Sequence, residues 1–109
     1  MANSAAVDAY PAGKITIQGP ARLDRANSTP IPIAILHHPA LSAGAKLVYS
    51  KFLNYAWASA TASNKRLAAD LGMSTRGIRN YVAELKAAQL IRVQTQPGKP
   101  NSYTVSTDI

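Results

Sequence analysis

Cysteine is absent from this 109-residue chain and acidic residues are scarce, with five Asp and Glu against twelve Lys and Arg. Without cysteine, disulfide frameworks, thiolate nucleophiles and cysteine-ligated zinc are excluded. No apolar run approaches the roughly 18–20 residues that a membrane span needs. The first residues lack the basic and apolar regions of a secretory signal. We therefore expect a cytoplasmic protein that does not associate with membranes, and at this length one domain at most.

Residues suited to catalysis or metal binding are also few. His37 and His38 are adjacent, whereas a metal-binding pair needs alternate or one-turn spacing. None of the five tyrosines has the basic or metal-ligating neighbours that a DNA-cleaving tyrosine needs, and packing is the simpler interpretation for them and for Trp57. A glycine-rich phosphate loop of the Walker type is missing. The sequence thus predicts a protein that is not an enzyme, with no catalytic residue, no metal site and no cofactor.

The excess of positive charge lies in the part of the chain that we expect to fold. From residue 30 onward there are nine Lys and Arg but three Asp and Glu, within a formal net charge of +7 for the whole chain. An excess of this size favours a polyanionic partner, and nucleic acid is the usual one. A basic surface without any such partner is the alternative, and charge alone does not decide between them.

The first half of the chain predicts an arm and a core helix. Residues 1–29, rich in small and polar residues, are predicted to form a flexible N-terminal arm with one alternating run, 14–18, as a candidate edge strand. Residues 30–109 are predicted to form a single domain. Pro32 is expected to open a short helical turn, and Ser42 to cap a longer helix. The apolar face of that helix is predicted to comprise Leu41, Ala45, Val48, Phe52 and Ala56. Its outward face is predicted to comprise Lys46, Ser50 and Asn54.

Residues 67–91, "LAADLGMSTRGIRNYVAELKAAQLI", predict two helices separated by a tight turn. Gly72 is placed to end the first helix in the left-handed conformation, and a serine precedes each helix as its N-cap. Ala68, Gly72 and Ile78 stand at the spacing with which two helices cross closely in a helix-turn-helix. "LIRVQTQ", the turn "PGKPN" and "SYTVS" then predict a β-hairpin. The fold class predicted is mainly α with a small β-hairpin: a winged helix-turn-helix of three main helices and a C-terminal wing.

The segments "LSAGAKLVY", "LAADLGMSTRGIRNYVAELKAAQLI" and "NSYTV" resemble the winged helix-turn-helix domains of plasmid and phage replication initiators and related mobile-element regulators. The resemblance covers roughly residues 31–105. The sequence departs from this family at Gln89, where such domains commonly place glycine between the second helix and its strand. The resemblance implies binding to double-stranded DNA through the second helix, at about 75–88, with the hairpin at about 91–105 as the wing.

The residues themselves favour the same partner. If Ile78, Val82 and Leu85 are buried, the outward arc of the second helix carries Arg76, Arg79 and Asn80, which can form specific pairs with base edges in the major groove. Phosphate contacts are expected from the helix starts, since backbone N–H groups there attract anions, and from the wing. The complete set of predicted DNA-binding residues is Lys65, Arg66, Ser74, Thr75, Arg76, Arg79, Asn80, Lys86, Arg92, Lys99 and Asn101.

Three functions fit these observations. Because the chain ends soon after the predicted wing, a stand-alone transcriptional regulator, or a domain excised from a longer protein, is favoured. The alternative is the DNA-recognition domain of a plasmid or phage replication initiator. A winged helix that binds another protein is a further class, although it needs no basic strip. The expected location is the bacterial nucleoid or plasmid or phage DNA. A homodimer is expected if the DNA site is palindromic.

Overall fold

A computed structural model describes residues 13–20, 28–58 and 60–108. Its helices are α1 (Ile33–Leu36), α2 (Ala43–Trp57), α3 (Asn64–Leu71) and α4 (Thr75–Ala87), and they are followed by the antiparallel strands β1 (Ile91–Gln96) and β2 (Lys99–Val105). This order confirms the predicted winged helix-turn-helix. None of the helices in the described ranges is both long enough and apolar enough to cross a membrane.

The predicted arm lies largely outside the described residues. Within the described stretch 13–20 the backbone forms no strand, so the expected edge strand at 14–18 is wrong. Ile15 and Ile17 are 91% and 83% exposed, and an isolated strand without a partner cannot satisfy its backbone hydrogen bonds within the protein. The boundary between arm and domain at residue 30 stays a prediction.

Each of the three longer helices begins at a serine cap. The Oγ atoms of Ser42, Ser63 and Ser74 each accept a hydrogen bond from the backbone N–H three residues later, at 3.0–3.3 Å. These bonds satisfy donors that a helix leaves unpaired in its first turn, and each is typically worth about 1 kcal/mol. The predicted caps are confirmed.

Two helices end at a residue with left-handed backbone. Gly72 closes α3 with a φ of 65°, as predicted. Gln89 closes α4 with a φ of 61° and is the one non-glycine residue with positive φ in the described part of the chain. Its N–H donates to the carbonyl of Lys86 at 3.0 Å, and the N–H of Leu90 donates to the carbonyl of Leu85 at 2.9 Å. This is the Schellman pattern, so glutamine here adopts the conformation in which the resembling family uses glycine.

The core surrounds α2, which is covered on more sides than the sequence indicated. Tyr49 is fully buried and Ser50 is 2% exposed, so the prediction that Ser50 faces outward is wrong. Its hydroxyl donates to the carbonyl of Lys46 at 3.0 Å, which satisfies it within the helix. Ala56, predicted as core, is exposed and borders an open cleft between α2 and the hairpin. The buried apolar residues are Ile35, Leu41, Ala45, Val48, Tyr49, Phe52, Leu53, Tyr55, Leu67, Ala68, Ile78, Val82, Leu85, Leu90 and Ile91.

Contacts between α2 and α4 fix the rotation of α4 about its own axis. A Cβ added at Gly44 would lie 2.2 Å from the ring of Tyr81, so the absence of a side chain at Gly44 makes room for that ring. On the same side of α4, the Glu84 carboxylate accepts hydrogen bonds from the backbone N–H of Ser42 at 2.6 Å and from its hydroxyl at 2.8 Å. With Tyr81 and Glu84 held against α2, the opposite side of α4, which carries Arg79 and Lys86, faces the hairpin.

The hairpin packs on the core through its inner face. Ile91 is buried and Val93 half-buried, whereas Arg92 and Gln94 are exposed, as expected from the alternating faces of a strand. Tyr103 on β2 lies with its ring centroid 5.1 Å from that of Phe52 on α2. The pairing has a bulge between Gln94 and Gln96. Because these contacts join β2 to α2, the hairpin is held beside α4 rather than free of the domain.

Candidate nucleic-acid interface

The outward side of α4 and the hairpin carry the predicted DNA-binding residues. Ile78, Val82 and Leu85 are buried, which is the condition under which Arg76 and Asn80 face away from the core. All eleven residues predicted from the sequence are exposed, on α3, the turn before α4, α4 itself and the two strands. The structure therefore leaves each of them accessible to a partner.

The cations in the described part of the chain fall into two groups, those that contact another residue of the protein and those that do not. On the α2 side, Lys46 Nζ donates to the carbonyl of Leu36 at 2.7 Å, and Lys51 and Arg66 each lie 3.8 Å from the Asp70 carboxylate. The cations on α4 and the hairpin, together with Lys65 at the start of α3, form no such contact with any residue that the structure describes. Within the described residues no hydrogen bond or ion pair is formed by the side chains of Lys65, Arg76, Arg79, Lys86, Arg92 and Lys99.

Arg66 belongs to a cluster that joins α2 to α3. The Tyr55 hydroxyl donates to Asp70 at 2.5 Å, and the Arg66 guanidinium lies 4.6 Å from the centre of the Tyr55 ring while Nη1 donates to the carbonyl of Thr61 at 3.1 Å. The bond from Tyr55 is the main cause that lowers the pKa of Asp70, and burial is the main cause that raises the pKa of Tyr55 to about 12. Arg66 is thus engaged inside the fold, and Lys65 is the member of this basic pair without a partner.

The two carboxylates nearest the basic surface both bond toward α2, although Asp70 is exposed and Glu84 is half-buried. Asp70 contacts the α2 side through Tyr55, and Glu84, although it lies on α4, contacts the start of α2. Neither forms an ion pair with a cation of α4 or of the hairpin within the described residues.

Between α4 and the hairpin lies a cleft of about 300 Å³, here called the α4–hairpin cleft. Its floor is apolar, formed by Val82, Ala83, Val93 and Tyr103. Its polar rim is formed by Asn64, Arg79, Lys86, Thr95 and Asn101. The structure brings Arg79, Lys86 and Asn101 together, and it adds Asn64 and Thr95, which the sequence did not single out. Asn64 and Thr95 could not be identified from the sequence, because only the tertiary fold brings them close to α4.

A second cleft of about 370 Å³ lies on the other side of the α4 end. Lys86 and Arg92 line it together with Gln89, Thr104 and Ser106. Lys86 therefore lines both clefts. Arg76 and Asn80 line neither of them, and Lys99, at the first position of β2 beside the turn, lies away from both.

The remaining candidates lie at the start of α4. The Ser74 hydroxyl is already used as the cap of α4, and Thr75 is the first residue of that helix. Both are exposed beside the first-turn N–H groups, where an anion is favoured by the helix dipole. The described residues include no group of three or more side chains able to hold a metal ion, and Nδ1 of His38 accepts a local hydrogen bond from the N–H of Ala40.

Together α3, the turn at Gly72, α4 and the hairpin define a winged helix-turn-helix protein. Comparison with protein families gives the same class: residues 40–91 match the family described as a helix-turn-helix domain. The match covers slightly less than half of the chain, and a helix-turn-helix domain implies DNA binding. The match ends at the first residue of β1, so the wing is established by the observed hairpin. No curated protein and no solved structure gave a significant match.

Proposed function

We propose that the protein binds double-stranded DNA with a preference for sequence and acts as a transcriptional regulator. The observation that carries this proposal is the division of charge: the cations of α4 and the hairpin have no partner inside the described fold, whereas Asp70 and Glu84 are bonded toward α2. A surface arranged in this way attracts a polyanion along one side of the domain. The domain responsible comprises residues 30–109.

In the proposed complex α4 lies in the major groove. The groove of B-DNA admits an α-helix, and side chains near the helix start reach the base edges. Arg76 and Asn80, on the outward side of the first half of α4, are suited to guanine and adenine, and a well-formed pair discriminates by roughly 1–3 kcal/mol. The residues proposed to contact the sugar–phosphate backbone are Lys65, Ser74, Thr75, Lys86, Arg92, Lys99 and Asn101, while Arg66 is left with its intramolecular role.

Selection of duplexes from a random pool tests this proposal directly. The purified protein should enrich one motif, and Arg76→Ala or Asn80→Ala should remove the preference at one position of that motif while the variant still binds duplex DNA. Recovery of no motif, with equal weak binding to every duplex, would contradict a sequence-preferring regulator. A promoter carrying the motif upstream of a reporter then tests regulation, since expression should change when the protein is present.

The second candidate is the DNA-recognition domain of a replication initiator, which the resemblance of residues 31–105 supports. The same selection distinguishes the two when the motif is mapped on the DNA from which the chain derives. Motifs beside promoters support the regulator, and motifs clustered at a replication origin support the initiator. An inverted repeat with half-sites one helical turn apart would further indicate a homodimer.

A further inference from the structure

The α4–hairpin cleft differs in its chemistry from the outermost part of α4. Five polar side chains surround it, two of them cations and two of them primary amides, and none is a carboxylate. Arg79 and Lys86 have no partner in the described fold. Cationic and amide donors around a concave space are the groups that bind phosphate oxygens, since each oxygen accepts several hydrogen bonds.

Helical geometry separates Arg79 from the residues that point straight outward. With roughly 100° of rotation per residue, Arg76 and Asn80 lie within about 30° of the direction opposite the buried face. Arg79 lies about 90° from that direction, toward the hairpin, and Lys86 lies further round on the same side. Only the latter two line the cleft. When α4 lies in the major groove, its outward residues face the bases. The flank of the helix that carries Arg79 then faces one edge of the groove, and that edge is the sugar–phosphate backbone.

We infer that the α4–hairpin cleft holds a phosphodiester of one DNA strand, with Arg79 and Lys86 as its cations and the amides of Asn64 and Asn101 as neutral donors. This inference rests on the proposed DNA binding and assigns the contacts within it. It transfers Arg79 from base contacts to backbone contacts, and it adds Asn64 as a DNA-binding residue. Sequence preference is then carried by Arg76 and Asn80.

The test uses the full chain and two duplexes, one with the selected motif and one with the same base composition in scrambled order. Arg79→Ala should weaken binding to both duplexes by the same factor, roughly tenfold, as expected for one charge-assisted hydrogen bond. It should also make the slope of log K against log salt shallower by about 0.9. Asn64→Ala should weaken both duplexes equally and leave the slope unchanged, because no charge is removed.

Matched controls exclude a general effect of charge or of amide loss. Lys14→Ala removes one positive charge from the exposed stretch 13–20, and Gln94→Ala removes an exposed amide from the outer face of β1. Both should bind the two duplexes within about twofold of the parent. Circular dichroism of each variant establishes that the fold is retained.

Neutral methylphosphonate replacements in the DNA locate the contact. One replacement should weaken binding of the parent protein, and the same replacement should weaken Arg79→Ala by a smaller factor, since Arg79 is then already missing from the contact and only the remaining groups of the cleft are affected. Inorganic phosphate at matched ionic strength should not compete with the duplex, because the cleft is inferred to hold a phosphate of the polymer and not the free ion; competition would overturn that assignment. A loss by Arg79→Ala confined to the selected duplex would also overturn the inference while leaving the proposed DNA binding intact. Failure of the parent protein to bind any duplex would instead refute the proposed function itself.

Discussion

Replacing Gln89 by glycine should stabilise the protein. Gln89 closes α4 with a φ of 61° and is exposed. In the left-handed region the Cβ of a residue comes close to the following carbonyl oxygen, and this contact costs about 1–2 kcal/mol. Glycine lacks that contact, and the two hydrogen bonds of the Schellman pattern are made by backbone atoms that the substitution retains.

The gain is partly offset in the unfolded chain. Glycine loses more conformational freedom on folding than other residues, which costs roughly 0.5–1 kcal/mol. The net increase in the free energy of unfolding is therefore about 0.75 kcal/mol at the middle of the two ranges. For a domain of this size that corresponds to a rise in Tm of roughly 2–8 °C.

Urea unfolding followed by far-UV circular dichroism measures this difference. Ala87→Gly is the matched control, since Ala87 is an exposed residue in the last turn of α4 with helical backbone. There the substitution should lower the free energy of unfolding by about 0.5–1 kcal/mol. If Gln89→Gly also lowers stability, or if the two glycines have the same effect, the left-handed conformation of Gln89 is not a source of strain and the reasoning is refuted.

Three further predictions concern charge, packing and pH. The six cations without a partner inside the described fold should give a slope of log K against log salt between roughly −4.5 and −5.4, for five or six phosphates neutralised, and a flat salt response would contradict DNA binding through this surface. Gly44→Ala should displace the Tyr81 ring and destabilise the fold by about 1–3 kcal/mol, less the roughly 1 kcal/mol that alanine gains in a helix. Combining Gly44→Ala with Tyr81→Ala should remove the clash, and a double-mutant cycle measured by urea unfolding detects this. The raised pKa of Tyr55 contributes stability that is present below pH 10.0 and is lost as pH approaches about 12, so Tyr55→Phe should flatten the fall of Tm in that window. The lowered pKa of Asp70 contributes stability that is present above pH 3.8, the ordinary pKa, and is lost as pH falls below it through the pKa of the folded state. Asp70→Asn should therefore flatten the fall of Tm at acid pH. If neither variant changes the dependence of Tm on pH, the Tyr55–Asp70 pair is not linked to folding.

The features that were predictable from the sequence depend on residues close together in the chain. The serine caps involve partners three residues apart, and Gly72 ends α3 through the carbonyl of Ala68. The alternation in β1 and the stripe of Ile78, Val82 and Leu85 follow from the periods of a strand and a helix. Such rules need no knowledge of the tertiary fold.

The features that were not predictable depend on partners brought together by folding. Glu84 and Ser42 are 42 residues apart, and Tyr55 and Asp70 are 15 apart. The sequence placed Arg66 among the expected DNA contacts by its charge and its position at the start of α3, and it could not show that the guanidinium contacts neighbours on two other segments. The α4–hairpin cleft escaped prediction for the same reason, since its rim is drawn from α3, α4 and both strands.

The position of Glu84 connects stability, orientation and charge in one contact. An anion beside the start of α2 is favoured because the N–H groups of that turn carry partial positive charge, and the Glu84 carboxylate accepts two hydrogen bonds there. Because Glu84 belongs to α4, the same contact sets which side of α4 faces away from α2. It also removes the only negative charge of α4 from the side where Arg76 and Arg79 lie. A basic excess spread along the sequence becomes a basic side of the domain because its few carboxylates are used as internal acceptors.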